Sequence, residues 1–185
     1  MRNPLLLRNC QKAFRNRCSD LQIETPQANL SRAIQRLNVS YSIWFNRKYQ
    51  RVGPLFQGRF KAVLHEQSTQ ALVINRYIHL NPGRISRLGG HEERSGEATN
   101  QLTDELVKAR VDALRNYPWS SYRSYVENTK KPAWLTTAAV LEFIGEGTAR
   151  KLAAQYRREL EEAAGLGEWE TEWKDNVKAR TLWNA

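Results

Sequence analysis

Histidine, cysteine and methionine are scarce in this chain, at three, two and one among 185 residues. The two cysteines, Cys10 and Cys18, supply neither a disulfide framework nor the four ligands of a structural zinc site. So few thiols are expected to stay reduced in a cytosol. The three histidines, His65, His79 and His91, form no His-x-His pair. Long hydrophobic runs are missing too. The stretch Pro4 to Leu7 is too short for the apolar core of a signal peptide, and nothing approaches the roughly 18 residues of a spanning helix. These absences argue against secretion and membrane insertion and lead us to expect a cytoplasmic protein. Acidic residues are also in deficit: 19 Asp and Glu face 29 Lys and Arg, a net charge of +10 and a pI near 9.9. That imbalance points to a polyanionic partner. The composition is otherwise that of a folded chain, with 41% hydrophobic and 26% charged residues and six tryptophans. Its length suits one domain, or a small domain with an appendage, and needs no metal or disulfide staple.

Residues 1–20 are rich in Arg and Asn without a sustained period and read as a basic N-terminal arm. From Asn29 the positions Leu30, Ile34, Leu37, Tyr41, Trp44 and Lys48 follow a three-four spacing, which predicts a helix of about five turns with one apolar stripe. Arg32, Arg36 and Arg47 project away from that stripe. Leu55 to Glu66 alternates, with Phe56, Gly58, Phe60, Ala62 and Leu64 on one side, and predicts a half-buried strand entered through Gly53-Pro54. A second helix is expected from Ser68 to about Leu80, stopped by Asn81-Pro82-Gly83. Residues 89–101 read as a linker. The 102–185 region is expected to be helical, with helices over Leu102–Leu114, Trp134–Ile144 and Ala149–Ala164.

Four strings, taken together, carry a family resemblance: Glu24-Thr25-Pro26 with Asn29-Leu30-Ser31-Arg32, Gly53-Pro54-Leu55-Phe56-Gln57-Gly58-Arg59-Phe60-Lys61-Ala62, and Arg76-Tyr77-Ile78-His79-Leu80-Asn81-Pro82. They resemble the REP-associated tyrosine transposases, single-tyrosine HUH enzymes of mobile elements that act on single-stranded DNA. The resemblance runs from about Leu21 to Tyr125 and more weakly through Trp134 to Leu160. It implies an α+β fold with an incomplete HUH, ferredoxin-like transposase core over 21–88, followed by C-terminal helices. It also implies that Tyr77 stands at the nucleophile position, where the family forms a 5′-phosphotyrosine with the help of a magnesium or manganese ion. An unperturbed phenol, with a pKa of about 10, needs such help to attack at neutral pH. Asn81, four residues on and on the same helical face, resembles the helix-borne metal ligand. The competing reading makes Tyr77 an amphipathic-helix residue and Asn81 a helix cap.

The chain departs from the family at the other two metal ligands, a His-hydrophobic-His triplet directly before the Leu-x-x-Glu-Thr-Pro segment. Cys18, Ser19 and Asp20 stand there instead. His65 and His79 read as surface or packing residues. The elements that should precede Leu21 find no counterpart in the first twenty residues, so a truncated or frame-disrupted descendant is expected. DNA-contact chemistry remains abundant, with Arg32, Arg36, Arg47, Lys48, Arg51, Arg59 and Lys61 interleaved with Tyr41, Trp44, Phe45, Tyr49, Phe56 and Phe60. Cations neutralise phosphates and flat rings stack on unpaired bases. Trp44, Phe56 and Phe60 fall on apolar faces and are expected in the core, whereas Arg47, Lys48 and Arg51 cluster at a helix end. Arg123, beside Tyr122 and Tyr125, marks a second patch. The expectation is a catalytically impaired, DNA-binding pseudoenzyme without a bound metal, holding single-stranded or hairpin DNA. Its rivals are an active transposase, with Cys18 and Asp20 replacing the histidines, and a decayed reading frame without a selected role.

Overall fold

In a computed structural model the described residues are 4–11, 17–25, 27–56, 58, 60–64, 69–84, 103–127, 131–166 and 181–182. The fold is α+β. Its sheet consists of β1 (Pro4–Gln11), β2 (Arg17–Glu24), β3 (Lys61–Leu64) and β4 (Thr181–Leu182), in the order β2-β1-β3-β4 with every neighbouring pair antiparallel. The segment read as a basic arm therefore carries β1 and the first half of β2. Leu5, Leu6 and Leu7 form the short continuous apolar run of a central strand, and β1 pairs on both sides. Hairpin pairing with β2 and long-range pairing with β3, neither of which a local period reports, make this segment a strand.

Chain contacts divide the protein into two compact units, Met1–Gln67 with Asn176–Ala185, and Ser68–Asp175. The linker expected over 89–101 lies outside the described residues. In the first unit the long helix α1 spans Leu30–Lys48, close to its predicted bounds. Among the described residues, the strand predicted over Leu55–Glu66 takes the form of β3, with a single bridge residue at Phe56. Ahead of it Gly53 takes a φ of +98°, a turn conformation that glycine adopts without strain, and β3 pairs with Leu5 to Arg8 of β1. The Asn46 side chain fastens the turn, with Nδ2 donating to the Gly53 carbonyl at 2.9 Å.

The second unit is helical: α2 (Thr69–Leu80), a 3-10 turn (Asn81–Arg84), α3 (Asp104–Asn116), α4 (Tyr122–Val126), α5 (Ala138–Leu141) with a 3-10 turn (Glu142–Ile144), and α6 (Ala149–Leu166). α3 starts where Thr103 accepts the Leu106 amide, and Asp104 and Glu105 in its first turn complement the helix dipole. The helix expected from Trp134 begins only at Ala138, and Trp134 itself lies exposed in a turn. On α6 the four-residue spacing of Leu152, Tyr156, Leu160 and Ala164 lines one buried face. It packs on Leu72 and Leu80 of α2, Leu114 of α3, Tyr122 and Tyr125 of α4, and Val140 and Leu141 of α5. Burying each such large apolar side chain contributes about 1.5–3 kcal/mol. No helix among the described residues is long and apolar enough to cross a membrane.

Candidate nucleic-acid interface

α1 contains four cations, Arg32, Arg36, Arg47 and Lys48, and no carboxylate. Its buried side chains are Ile34 and Phe45, with Tyr41 half-buried between them. The inward face thus follows 34-41-45. The predicted stripe ran through Leu37 and Trp44, yet these are 51% and 50% exposed. That is a correction to the placement of Trp44 in the core. The three-four spacing fits both faces of this helix, and only Phe45, absent from the predicted stripe, marks the inward one. Phe56 and Phe60 are half-buried.

The outward face is continuous. Asn29, Arg32, Ala33, Arg36, Leu37 and Ser40 line one open hollow of about 520 Å³. Ser40, Ile43, Trp44, Arg47 and Lys48 line a second of about 650 Å³. Ser40 belongs to both. From Arg32 to Arg47 this surface extends about 22 Å along the helix at 1.5 Å per residue. The Lys48 ammonium lies 4.8 Å from the Trp44 ring centroid and 5.5 Å from that of Tyr49, and the Arg51 guanidinium 5.8 Å from Phe45. Trp44 also packs against Tyr41 at 5.6 Å, which holds the indole in place on the exposed side. Fixed flat rings flanked by cations can stack on bases while the cations meet phosphates.

The other expected site residues fall elsewhere. Arg123 is exposed, but its Nε donates to the Arg115 carbonyl at 2.8 Å and its NH2 to Asn116 Oδ1 at 3.4 Å, so it caps the C-terminus of α3. Tyr122 and Tyr125, read as its companions in a binding patch, are core residues. Arg59 lies outside the described residues, and of Lys61 only the backbone position in β3 is described. Tyr77 is half-buried on α2, and Asn81 opens the 3-10 turn one helical turn later. Cys18 and Asp20 occupy alternate positions of β2, in the other unit. Among the described residues no group of three or more His, Cys, Asp or Glu side chains is gathered as a metal site.

His79 is fully buried, and both ring nitrogens bond within the protein: Nδ1 to the Tyr156 hydroxyl at 2.7 Å and Nε2 to Ser121 Oγ at 2.8 Å. The Tyr156 hydroxyl donates its one proton to Asn75 Oδ1 at 2.7 Å, so it must accept from Nδ1–H, leaving Nε2 to accept from Ser121. Asn75 Nδ2 then donates to the Tyr125 hydroxyl at 3.0 Å. Burial lowers the His79 pKa to about 3 and keeps the ring neutral. Burial also raises the phenols of Tyr122, Tyr125 and Tyr156 above the ordinary range, which disfavours them as nucleophiles. Sequence reading missed this network, and its signal was faint: three polar-capable residues, Asn75, His79 and Tyr156, at core positions of two helices.

No protein-family model, curated protein or solved structure matches this chain.

Proposed function

We propose that this chain is a transposase-like DNA-binding protein. In this reading it descends from the REP-associated tyrosine transposases and holds single-stranded or hairpin DNA on α1, with its strand-cleaving chemistry impaired. The observation that carries the binding role is the outward face of α1, where four cations and a half-exposed tryptophan share one surface without a carboxylate. Each phosphate neutralised there releases counterions, and each base stacked on an aromatic ring adds about 1–3 kcal/mol. The incomplete HUH core is supported by order along the chain: the positions corresponding to the histidine triplet lie on strand β2, and α1 follows.

The impairment is argued from the donor types: magnesium and manganese favour oxygen ligands, and where the family carries one of its histidines this chain offers the soft sulfur of Cys18, a poor ligand for either ion. The alternative, an active single-tyrosine transposase, rests on Tyr77, the phenol of α2 that is not buried in the core. One experiment separates the two. Purified protein and Tyr77→Phe are incubated with labelled single-stranded and hairpin oligonucleotides in magnesium or manganese, then run on native and denaturing gels. We expect a native complex and no covalent adduct. An adduct that disappears in Tyr77→Phe would establish the active enzyme instead. Folded protein that binds no DNA would remove both readings.

A further inference from the structure

Cys10 and Cys18, the two cysteines of the chain, are directly opposed Cα partners in the β1–β2 ladder. Directly opposed residues of antiparallel strands stand about 4.5–5.5 Å apart at Cα and share one face of the sheet. Disulfides span Cα separations of about 4.4–6.8 Å, so either kind of opposed pair lies inside that window. We propose that Cys10 and Cys18 are a redox modification site, forming a reversible cross-strand disulfide by exchange with a low-molecular-weight disulfide. The site is independent of the DNA-binding reading.

Its place in the sheet favours such a bond. The β1–β3 pairing ends at Arg8, opposite Lys61, whereas the β1–β2 pairing continues through Asn9, Cys10 and Gln11. The cysteines therefore lie where the described sheet is two strands wide, next to the connection between β1 and β2. A two-stranded hairpin end is marginal in water, so a covalent tie there has an ordering effect that a tie within a wider sheet would lack. The surrounding sequence, with Arg8, Lys12, Arg15 and Arg17 against Asp20, attracts an anionic disulfide such as oxidised glutathione.

The exchange runs in two steps. One protein thiolate attacks a sulfur of the small disulfide, forming a mixed disulfide and expelling one small thiolate. The second protein thiolate attacks the protein sulfur of that mixed bond and expels the other. Two protein thiols are oxidised to one disulfide, the small disulfide is reduced to two thiols, and the two protons pass to the released thiolates.

The test equilibrates the full chain with glutathione at graded ratios of oxidised to reduced form, quenches with acid, alkylates and digests with trypsin. We expect peptide Asn9–Lys12 linked to peptide Cys18–Arg32, lighter than the reduced pair by two hydrogens, removed by dithiothreitol and absent from Cys10→Ser. The linked form should appear at a glutathione ratio at least about tenfold more reducing in the folded chain than in urea, because the ladder raises the effective concentration of one thiol at the other. Equal formation in urea, links between chains, or glutathione retained on each cysteine separately would overturn the proposal.

Discussion

Tyr156 serves two buried partners at once, donating to Asn75 and accepting from His79. Removing its hydroxyl takes a donor from Asn75 Oδ1 and an acceptor from His79 Nδ1–H in a buried core, and each such loss costs about 1–3 kcal/mol. Tyr156→Phe, which keeps the ring and its packing, is therefore expected to lower unfolding stability by about 2–4 kcal/mol in urea titrations. A change below about half a kcal/mol would mean that water or a shifted side chain replaces the hydroxyl. Gly165 makes a steric argument of the same scale. A Cβ built there would lie 2.9 Å from Val107 Cγ1 on α3, while the Gly165 carbonyl accepts from Arg110 at 3.1 Å. α6 and α3 approach closely at that point because there is no side chain between them. Gly165→Ala should cost about 1–3 kcal/mol through overpacking, although alanine is the better helix former. Unchanged or raised stability in the same urea titration would show that Val107 yields freely.

At the scale of the element, α1 can be altered without touching a core, since Arg32, Arg36, Trp44, Arg47 and Lys48 are all exposed. The variant Arg36→Gln/Arg47→Gln is expected to weaken binding to single-stranded DNA and to flatten the slope of log K against log salt by about 0.7 for each phosphate that is no longer neutralised. Trp44→Ala should weaken binding by about 1–3 kcal/mol with the salt slope unchanged, because stacking releases no counterions. Fluorescence anisotropy over a salt series reads both quantities, and a Trp44→Ala variant that changes the slope would contradict a stacking role. The same helix shows what a sequence pattern conveys. Its bounds were legible from the three-four spacing and the punctuation at Asn29, and α2, α3 and α6 were legible for the same reason. Its inward face was not, since apolar residues occur at Leu37 and Trp44 as well as at Ile34 and Phe45. β1 and β2 were illegible because Leu5–Leu7 has no alternation to declare it and β1 takes its second partner, β3, from far along the chain, while β2 has only β1 beside it. Of the candidate site, the cations of α1 could be read directly. The capping role of Arg123 could not, because it depends on the α3 carbonyl at Arg115, eight residues away.

For the molecule as a whole, stability should depend on pH through the second unit, and the sign follows from His79. Its pKa falls from 6.5 to about 3 on folding because burial removes the charged ring from water. Above pH 6.5 the ring is neutral in both states and the network is at full strength. As pH falls below 6.5 the unfolded chain takes up a proton that the folded chain refuses, so folding loses about 1.4 kcal/mol per pH unit until the folded pKa is reached near 3. Glu161 acts in the same direction at lower pH. Burial opposes its ionisation, but hydrogen bonds from Arg115 and Arg157 outweigh that cost and hold its carboxyl below the ordinary value. Its contribution is present above the unfolded carboxylate pKa and is lost as pH falls through the folded one. Glu161 therefore steepens the decline only below about pH 4.5, in the lower part of the window that belongs to His79. Urea titrations between pH 7.5 and 5, followed by amide exchange in α6, are expected to show stability falling by about 2 kcal/mol between pH 6.5 and 5. His79→Gln, less stable throughout because glutamine cannot reach both Tyr156 and Ser121 in the ring's geometry, should lose that slope while keeping the one below pH 4.5. If the parent and His79→Gln fall in parallel between pH 6.5 and 5, the proton is taken up elsewhere and the buried network is not the acid-sensitive element.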